Sequence, residues 1–494
     1  MHRLLKSDIQ NSKREMIIKG NLFKVIIIFI LPIALTNIVF NVLPKQIDLI
    51  FINCQKENHC KLDNFFLIDS FVKLINYFGN AIAIAGTILI GHELGKNNIQ
   101  KANNFVKTTI IAVISVSFLI VMFFFIIGIF IKNYLNNNSI LNSRDLEDLY
   151  FYYVISLISG FFISINTVFF GLIRIDKKLK VIYLFNLFFL IMKFCLNYIF
   201  FNILNKNGKI YYIGIASLLA HFTLFLLIFV FFSINKKLKI KGLKRHFKNF
   251  FLDKNLDFKT LFKMFIPLLL GKIIPESGRV CLLRCIKQNG FYPVGTLTMI
   301  SYTDLIVGLG LQFCFALEEG QILIISANLG NRNVQRALRT IWLTLIINFI
   351  LGFFFSVLLY NYGFNILNFL QTLTNLNNKL NSSNFDIIQF KTLILYACLS
   401  GFFTVVTQGI LLKSMIAFKK PLVDIYFGFI RVFILRIPLI LIFRKASFSP
   451  WSKSDTWYGF GVANLLTNLI ILFFIIIYFY FKFYKKLKKN QFKI

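Results

Sequence analysis

Charge is scarce in this chain, and acid is the scarcer sign. Of 494 residues only 15% are charged, with 20 Asp+Glu against 55 Lys+Arg and a formal net charge of +35. That composition excludes a disordered chain and an ordinary soluble enzyme. Cysteine is sparse as well, and the 7 present make no disulfide framework. Cys54 and Cys60 share one short loop and can pair or stay reduced. Cys281 and Cys285 stand one helical turn apart without His or acidic neighbours in ligand spacing, so they read as packing residues rather than a metal site. The 5 His are scattered at positions 2, 59, 92, 221 and 246. There is no HExxH and no Walker loop, which argues against a membrane enzyme and against direct ATP drive. The first apolar run is too long for a cleavable signal, and no small-residue cleavage site follows it.

What the chain has in abundance is apolar length. Hydrophobic residues make up 57%, and the mean hydropathy is +0.71. Runs of about 20 apolar residues, each enough to cross a bilayer as a helix, recur throughout. Twelve spans are predicted, at 22–52, 65–90, 105–131, 149–172, 180–202, 210–232, 259–286, 293–325, 338–360, 390–412, 421–443 and 456–481. The alternate segments that include both termini hold 34 Lys+Arg, and the loops between them hold 12, with Lys391 counted in its loop. By the positive-inside rule both termini are expected in the cytoplasm of a multi-pass protein of the plasma membrane. The basic residues therefore describe topology, and nucleic acid is not an expected partner.

The chain also repeats itself. Residues 94–102 read LGKNNIQKA, and residues 329–337 read LGNRNVQRA, 235 positions later. GTILI (86–90) and GQILI (320–324) precede them, and the same offset relates Pro32 to Pro267. The organisation read from this is an N-terminal tail (1–21), a six-helix bundle (22–232), a basic linker (233–258), a second six-helix bundle (259–481) and a basic tail (482–494). Six spans per copy give both halves the same orientation, a parallel repeat about an axis along the membrane normal. Two such bundles leave a cleft that rocking would expose to alternate sides. In the LG-x-x-N segments, Gly is expected to end a helix as its left-handed residue. Asn98 and Asn333 are expected to cap the next helix, and Gln100, Lys101 and Lys107 to lie on its amphipathic start. These segments read as helix-turn-helix elbows rather than binding sites.

Taken in order, several segments resemble the multidrug and toxic compound extrusion (MATE) transporters, of the wider multidrug, oligosaccharidyl-lipid and polysaccharide flippase superfamily. Pro32 is followed by Gln46-Ile47-Asp48-Leu49-Ile50-Phe51, then by the 94–102 elbow, then by Lys193-Phe194-Cys195-Leu196-Asn197-Tyr198. The second half repeats the plan with Pro267, the 329–337 elbow, Gln408 and Phe418-Lys419-Lys420-Pro421. It closes with Arg431 through Ile437-Pro438-Leu439 and with Gly459-Phe460-Gly461-Val462-Ala463. The resemblance covers nearly the whole chain. It implies an all-α integral membrane protein of twelve transmembrane helices that exports small molecules by alternating access, as an antiporter. It also implies an ion-coupling site at Asp48 with fifth-helix polar groups, taking a proton or sodium ion and no other cofactor. The chain departs from the family at that fifth helix, where Lys193 and Asn197 stand in place of Asn and Asp. An ammonium facing Asp48 would occupy the place of a bound cation, which argues against a sodium site and for proton coupling or its loss.

A charge in a membrane span costs about 2.5–3.5 kcal/mol on insertion scales, so each one needs a reason. A neighbour one turn away can supply it: Lys45 for Asp48, Lys73 for Asp69, Lys272 or Arg279 for Glu276, and Lys420 for Asp424. Asp48 has two readings, ion coupling or a helix-end pair with Lys45. Asp304 has no such neighbour and reads, with Glu276, as a candidate for the cleft. Glu318 and Glu319 read as solvated near the cytoplasmic end, and His221 as a hydrogen-bonded core residue. Arg279, Arg284, Arg431 and Arg436 are harder to place. If they line the cleft its field is positive, and an anionic or lipid-linked substrate fits better than a cationic one. The alternative to an exporter is therefore a flippase for such a substrate. Either would work in the bilayer on a small-molecule or lipid-like partner, and is expected to act as a monomer.

Overall fold

The computed structural model describes residues 18–39, 43–44, 47–48, 51, 59–137, 143–175, 179–204, 209–234, 256–288, 296–373, 387–443 and 456–485. The described residues are helical, with turns between. The first half comprises α1 (Leu22–Asn37), α2 (His59–Gly95), α3 (Ile99–Asn137), α4 (Ser143–Ile175), α5 (Leu179–Asn197, continuing as a π-helical stretch, Tyr198–Leu204) and α6 (Tyr211–Ile234). In the second half α7 is Phe258–Gln288, α8 is Thr296–Gly330 and α9 is Val334–Leu373. Then α10 runs through Ile387–Gly401, Phe402–Gly409 and Ile410–Ala417. In α11 the pieces are Leu422–Phe429, Ile430–Arg436 and Ile437–Phe443, and in α12 they are Thr456–Phe479 and Tyr480–Tyr484. The middle piece of α10, the middle piece of α11 and the end of α12 are π-helical.

Seven of the described helices are long and apolar enough to cross a bilayer: α3, α4, α5, α6, α9, α11 and α12. Their lipid-facing sides are rich in exposed Phe, among them Phe123, Phe130, Phe349, Phe353 and Phe473. The aromatic content thus dissolves the protein in lipid, where burial inside protein is not required. By contrast α2, α7 and α8 carry polar side chains at depth and pack mostly on protein, including on one another across the two halves.

The packing is that of a parallel repeat. Helix α1 lies against α8, and its counterpart α7 lies against α2. Helix α2 packs on α3 and α4, and α8 packs on α9 and α10. The pairs α4 with α6 and α5 with α6 recur as α10 with α12 and α11 with α12. On the axis relating the halves, α2 crosses α8. A Cβ on Gly95 would run into the Ala327 carbonyl and lie 3.0 Å from the Cα of Gly330, and a Cβ on Gly330 would run into the His92 carbonyl. Only glycine permits so close an approach.

That contact corrects the expected role of the LG glycines. Gly95 and Gly330 are still helical, and the left-handed residues are Asn97 (φ 64°) and Arg332 (φ 59°). In both elbows three backbone hydrogen bonds close the turn, for example Asn98 N–H to the Glu93 carbonyl and Asn333 N–H to the Asn328 carbonyl, each 2.9 Å. This is a Schellman-type closure, which needs the positive φ one residue before the last donor. A third elbow, without the LG-x-x-N pattern, has the same bonds at Phe418–Lys420, with Lys419 at φ 61°. The caps fall where expected: Asn98 Oδ1 accepts from the Lys101 N–H and Asn333 Oδ1 from the Arg336 N–H, both at 3.1 Å. Gln100 and Lys101 are exposed, but Lys107 is buried, so it does not belong to an amphipathic surface.

Two acids explain helix starts. Asp148 is buried and accepts from the N–H groups of Ile210 (2.8 Å) and Tyr211 (3.1 Å), capping α6 from a neighbouring helix. Asp257, before α7, accepts from the Thr260 hydroxyl at 2.7 Å and from its N–H at 3.0 Å. Those bonds, with Lys101 and Lys259 nearby, hold its carboxyl below the usual range.

Candidate functional site

The first-half site lies between Asp48 and helices α5 and α6. Lys193 and Asn197 are four residues apart on α5, which places both on one helix face. Lys193 Nζ is 2.8 Å from Asp48 Oδ1, and Asn197 Nδ2 donates to the same oxygen at 2.8 Å. Lys193 also donates to the hydroxyl of Ser217 on α6. All three predicted residues are buried, and the lysine side chain is only 1% exposed. The partner of Asp48 is therefore a lysine far away in sequence. The helix-end pairing with Lys45 falls outside the described residues. Nearby, Asn186 Nδ2 donates to Thr36 Oγ1 at 3.2 Å, tying α5 to α1. His221 is buried as expected, with its ring 4.6 Å from that of Phe189 and its carbonyl accepting from Asn166.

The second half gathers charge differently. Lys413 on α10 pairs with Asp424 on α11, Nζ to Oδ2 at 3.4 Å. This corrects two expectations: Lys413 is inside a helix rather than in a cytoplasmic loop, and it, rather than Lys420, neutralises Asp424. Lys272, Arg431, Glu318 and Glu319 lie within electrostatic reach of this pair. Glu318 is buried, against the expectation of a solvated acid, and its Oε1 has no hydrogen-bond partner among the described residues. It packs so tightly on α10 that a Cβ on Gly409 would overlap its carboxylate. Glu319 is more open and faces Arg174 of α4, 3.8 Å away and across the two halves.

Glu276 pairs with neither Lys272 nor any other cation in the described ion pairs. It is buried, and Tyr77 Oη of α2 donates to its Oε2 at 3.2 Å. Lys272 instead stands over the Tyr77 ring, 5.9 Å from its centre. Glu276 follows Pro275 inside α7, where the missing N–H loosens the helix. The side chains of Asp304, Arg279, Arg284, Asp69 and Lys73 and those of Cys54, Cys60, Cys281 and Cys285 lie outside the description. Arg431 and Arg436 are half-buried on the π-helical stretch of α11. Arg431 is near Asp424 and Glu318, while no described contact brings Arg436 to the first-half site.

Sequence reasoning missed Ser217, Tyr77, Arg174 and Lys413. Local spacing could not have found them, because each reaches its partner across different helices.

The MatE family model matches residues 32–199. No curated protein matches the chain by sequence. Solved structures match almost end to end. A MATE crystal structure in complex with MaD3S is 14% identical and covers 96% of this chain and 98% of its own, with a TM-score of 0.73. An outward-facing multidrug resistance MATE family transporter of the MOP superfamily is 15% identical, with the same coverage and a TM-score of 0.74. A MOP superfamily transporter from Pyrococcus furiosus Vc1, described as having reversed polarity of its binding pocket, matches at 15% identity over 96% and 98%, with a TM-score of 0.74. The chain carries a MatE domain and has the fold of the MATE transporters.

Proposed function

We propose that this MATE-fold membrane protein is a secondary exporter of small molecules, working by alternating access and driven by protons through Asp48. The observation that carries the reading is the buried Asp48–Lys193 pair, with Asn197 on the same carboxylate oxygen. A sodium ion would have to displace the Lys193 ammonium to reach Asp48. A proton needs no such room. Neutralising Asp48 would leave the buried Lys193 cation without its counter-charge, a state that costs about 3–5 kcal/mol when one partner of a buried pair is removed. That penalty is the force that would reorganise α5 and α6 around the site and tip one bundle against the other. Loop charge places the elbows on the cytoplasmic side. The closed α2–α8 crossing would then be the cytoplasmic closure of an outward-facing state.

A second reading stays in play because of the second half. Lys272, Lys413 and Arg431 gather there among Asp424, Glu318 and Glu319 around the α10–α11 cluster. A flippase for an anionic or lipid-linked molecule would use such cations. The proteoliposome experiment separates the two. Wild type and Asp48→Asn are compared with a cationic dye and an anionic lipid-like probe, under imposed proton or sodium gradients. Proton-driven cation export that the substitution abolishes is the expected result. Movement of the anionic probe alone, indifferent to Asp48, would overturn the exporter reading.

A further inference from the structure

The repeat is least symmetric where the two halves touch most closely. Gly95 and Gly330 are equivalent across the 235-residue offset, and so are His92 and Ala327. The carbonyls of His92 and Ala327 make mirror-image contacts with the opposing glycine. The side chains differ: one copy has a methyl group and the other an imidazole. His92 is 3% exposed, and neither ring nitrogen has a hydrogen-bond partner among the described residues. It occupies the last turn of α2, beyond the apolar stretch 65–90 and at the elbow. The charged groups around it are Glu93 of α2 and Lys96 of the elbow, themselves paired at 3.4 Å, and Lys419 of the α10–α11 elbow, with Lys101 of α3 behind Lys419. On α8 the groups at the crossing are Ala327 and Gly330, neither of which titrates.

We propose that His92 is a proton-responsive latch on the α2–α8 closure, stable only while the imidazole is neutral. The proposal rests on the two halves parting at this crossing during the cycle. A buried imidazole with no acceptor and two ammonium groups nearby cannot carry a charge cheaply. Burial, then Lys419 and Lys96, push its pKa from 6.5 down to about 4 in the closed state. Parting the helices would hydrate the ring and return it to the ordinary range. The sign follows. A group whose pKa is lowered in the closed state binds more protons in the open one, so closure is fully favoured above the open-state value and weakens as the pH falls toward the closed-state value. The sensed pool is the one on the elbow side, separate from the protons that reach Asp48.

The test uses the full chain in nanodiscs with spin labels at positions 100 and 335. Gln100 and Gln335 are exposed and related by the repeat. Their distance distribution is measured from pH 8 to pH 5 without substrate. The ratio of closed to open populations is expected to fall about tenfold between pH 8 and pH 5.5. His92→Ala, which copies the second half, and His92→Gln should both stay flat across the range. Asp48→Asn should shift the starting populations but keep the pH-dependent fall. A flat wild type, or a response that persists in both His92 variants, would overturn the latch. A response lost in Asp48→Asn but retained in His92→Ala would assign it to the coupling carboxylate, overturning the latch and leaving the exporter reading standing. Because no transport is read, failure of the exporter reading would not disturb the result.

Discussion

Among the described residues, Asp48 in the first half is held by Lys193 and Asn197. Asp424 in the second half pairs with Lys413 but shares its surroundings with Lys272, Arg431, Glu318 and Glu319. Among the described residues, the same six-helix plan thus shows a small set of charges around Asp48 and a crowded set around Asp424. The physical consequence is a difference in tolerance. A pair with one cation has no substitute when that cation is lost. A cluster with several can re-pair. The first arrangement suits a switch, because a single protonation changes its state, and the second suits a framework.

The largest expected effect tests that contrast directly. Lys193→Ala and Asp48→Asn should each destabilise the protein by about 3–5 kcal/mol, because each leaves a buried group of the pair uncompensated. Asp48→Asn with Lys193→Met should recover most of the loss while transport remains uncoupled. Thermal unfolding in detergent, run as a double-mutant cycle, reads the coupling energy. If the single and double variants simply add, the pair is not the unit described. Next comes the crossing between the halves. Gly95→Ala puts a methyl group into the Ala327 carbonyl and should cost about 1–3 kcal/mol by overpacking. It should also lengthen the distance between labels at Gln100 and Gln335. An unchanged distance would mean that the two halves are not in register at this contact.

The second-half cluster should answer more mildly. Lys413→Met is expected to cost about 1–2 kcal/mol, less than Lys193→Ala, since Lys272 and Arg431 remain near Asp424. Glu318→Gln should be near neutral, within about 1 kcal/mol, because it keeps the shape of a buried side chain whose Oε1 already lacks a partner. A loss at Lys413 as large as that at Lys193 would break the contrast between the two sites.

Much of this fold was legible in the residues. The helical class and seven of the spans follow from apolar length, and the repeat from LGKNN and LGNRN, because helices in lipid must satisfy their backbones internally and leave few alternatives. Asp48, Lys193 and Asn197 were legible as a set only through the family pattern, since they are separated by about 145–149 positions. The neighbour-one-turn-away rule misled at Asp424 and, for Lys272, at Glu276. In water, partners at i+4 compete well. Inside a bundle, a side chain from another helix reaches the same carboxylate with less backbone constraint, as Lys413 and Tyr77 do. Glu318 was misplaced because closeness to a helix end in sequence says nothing of the neighbour packed over it, here Gly409.

The smallest expected effect concerns the elbows, where the two halves agree most. Their left-handed residues are Asn97, Arg332 and Lys419. Asparagine tolerates that region, but a long side chain with a Cβ pays about 1–2 kcal/mol for it. Arg332→Gly should therefore raise stability by up to about 1 kcal/mol, part of the gain being offset by the freer unfolded chain. Asn97→Gly should gain less, because asparagine already offsets part of the strain locally. The comparison is read as the difference between two melting temperatures in the same detergent, so lipid and headgroup effects cancel. If Arg332→Gly lowers stability instead, the arginine is held by contacts that outweigh its backbone strain, and the two elbows differ in more than their sequence.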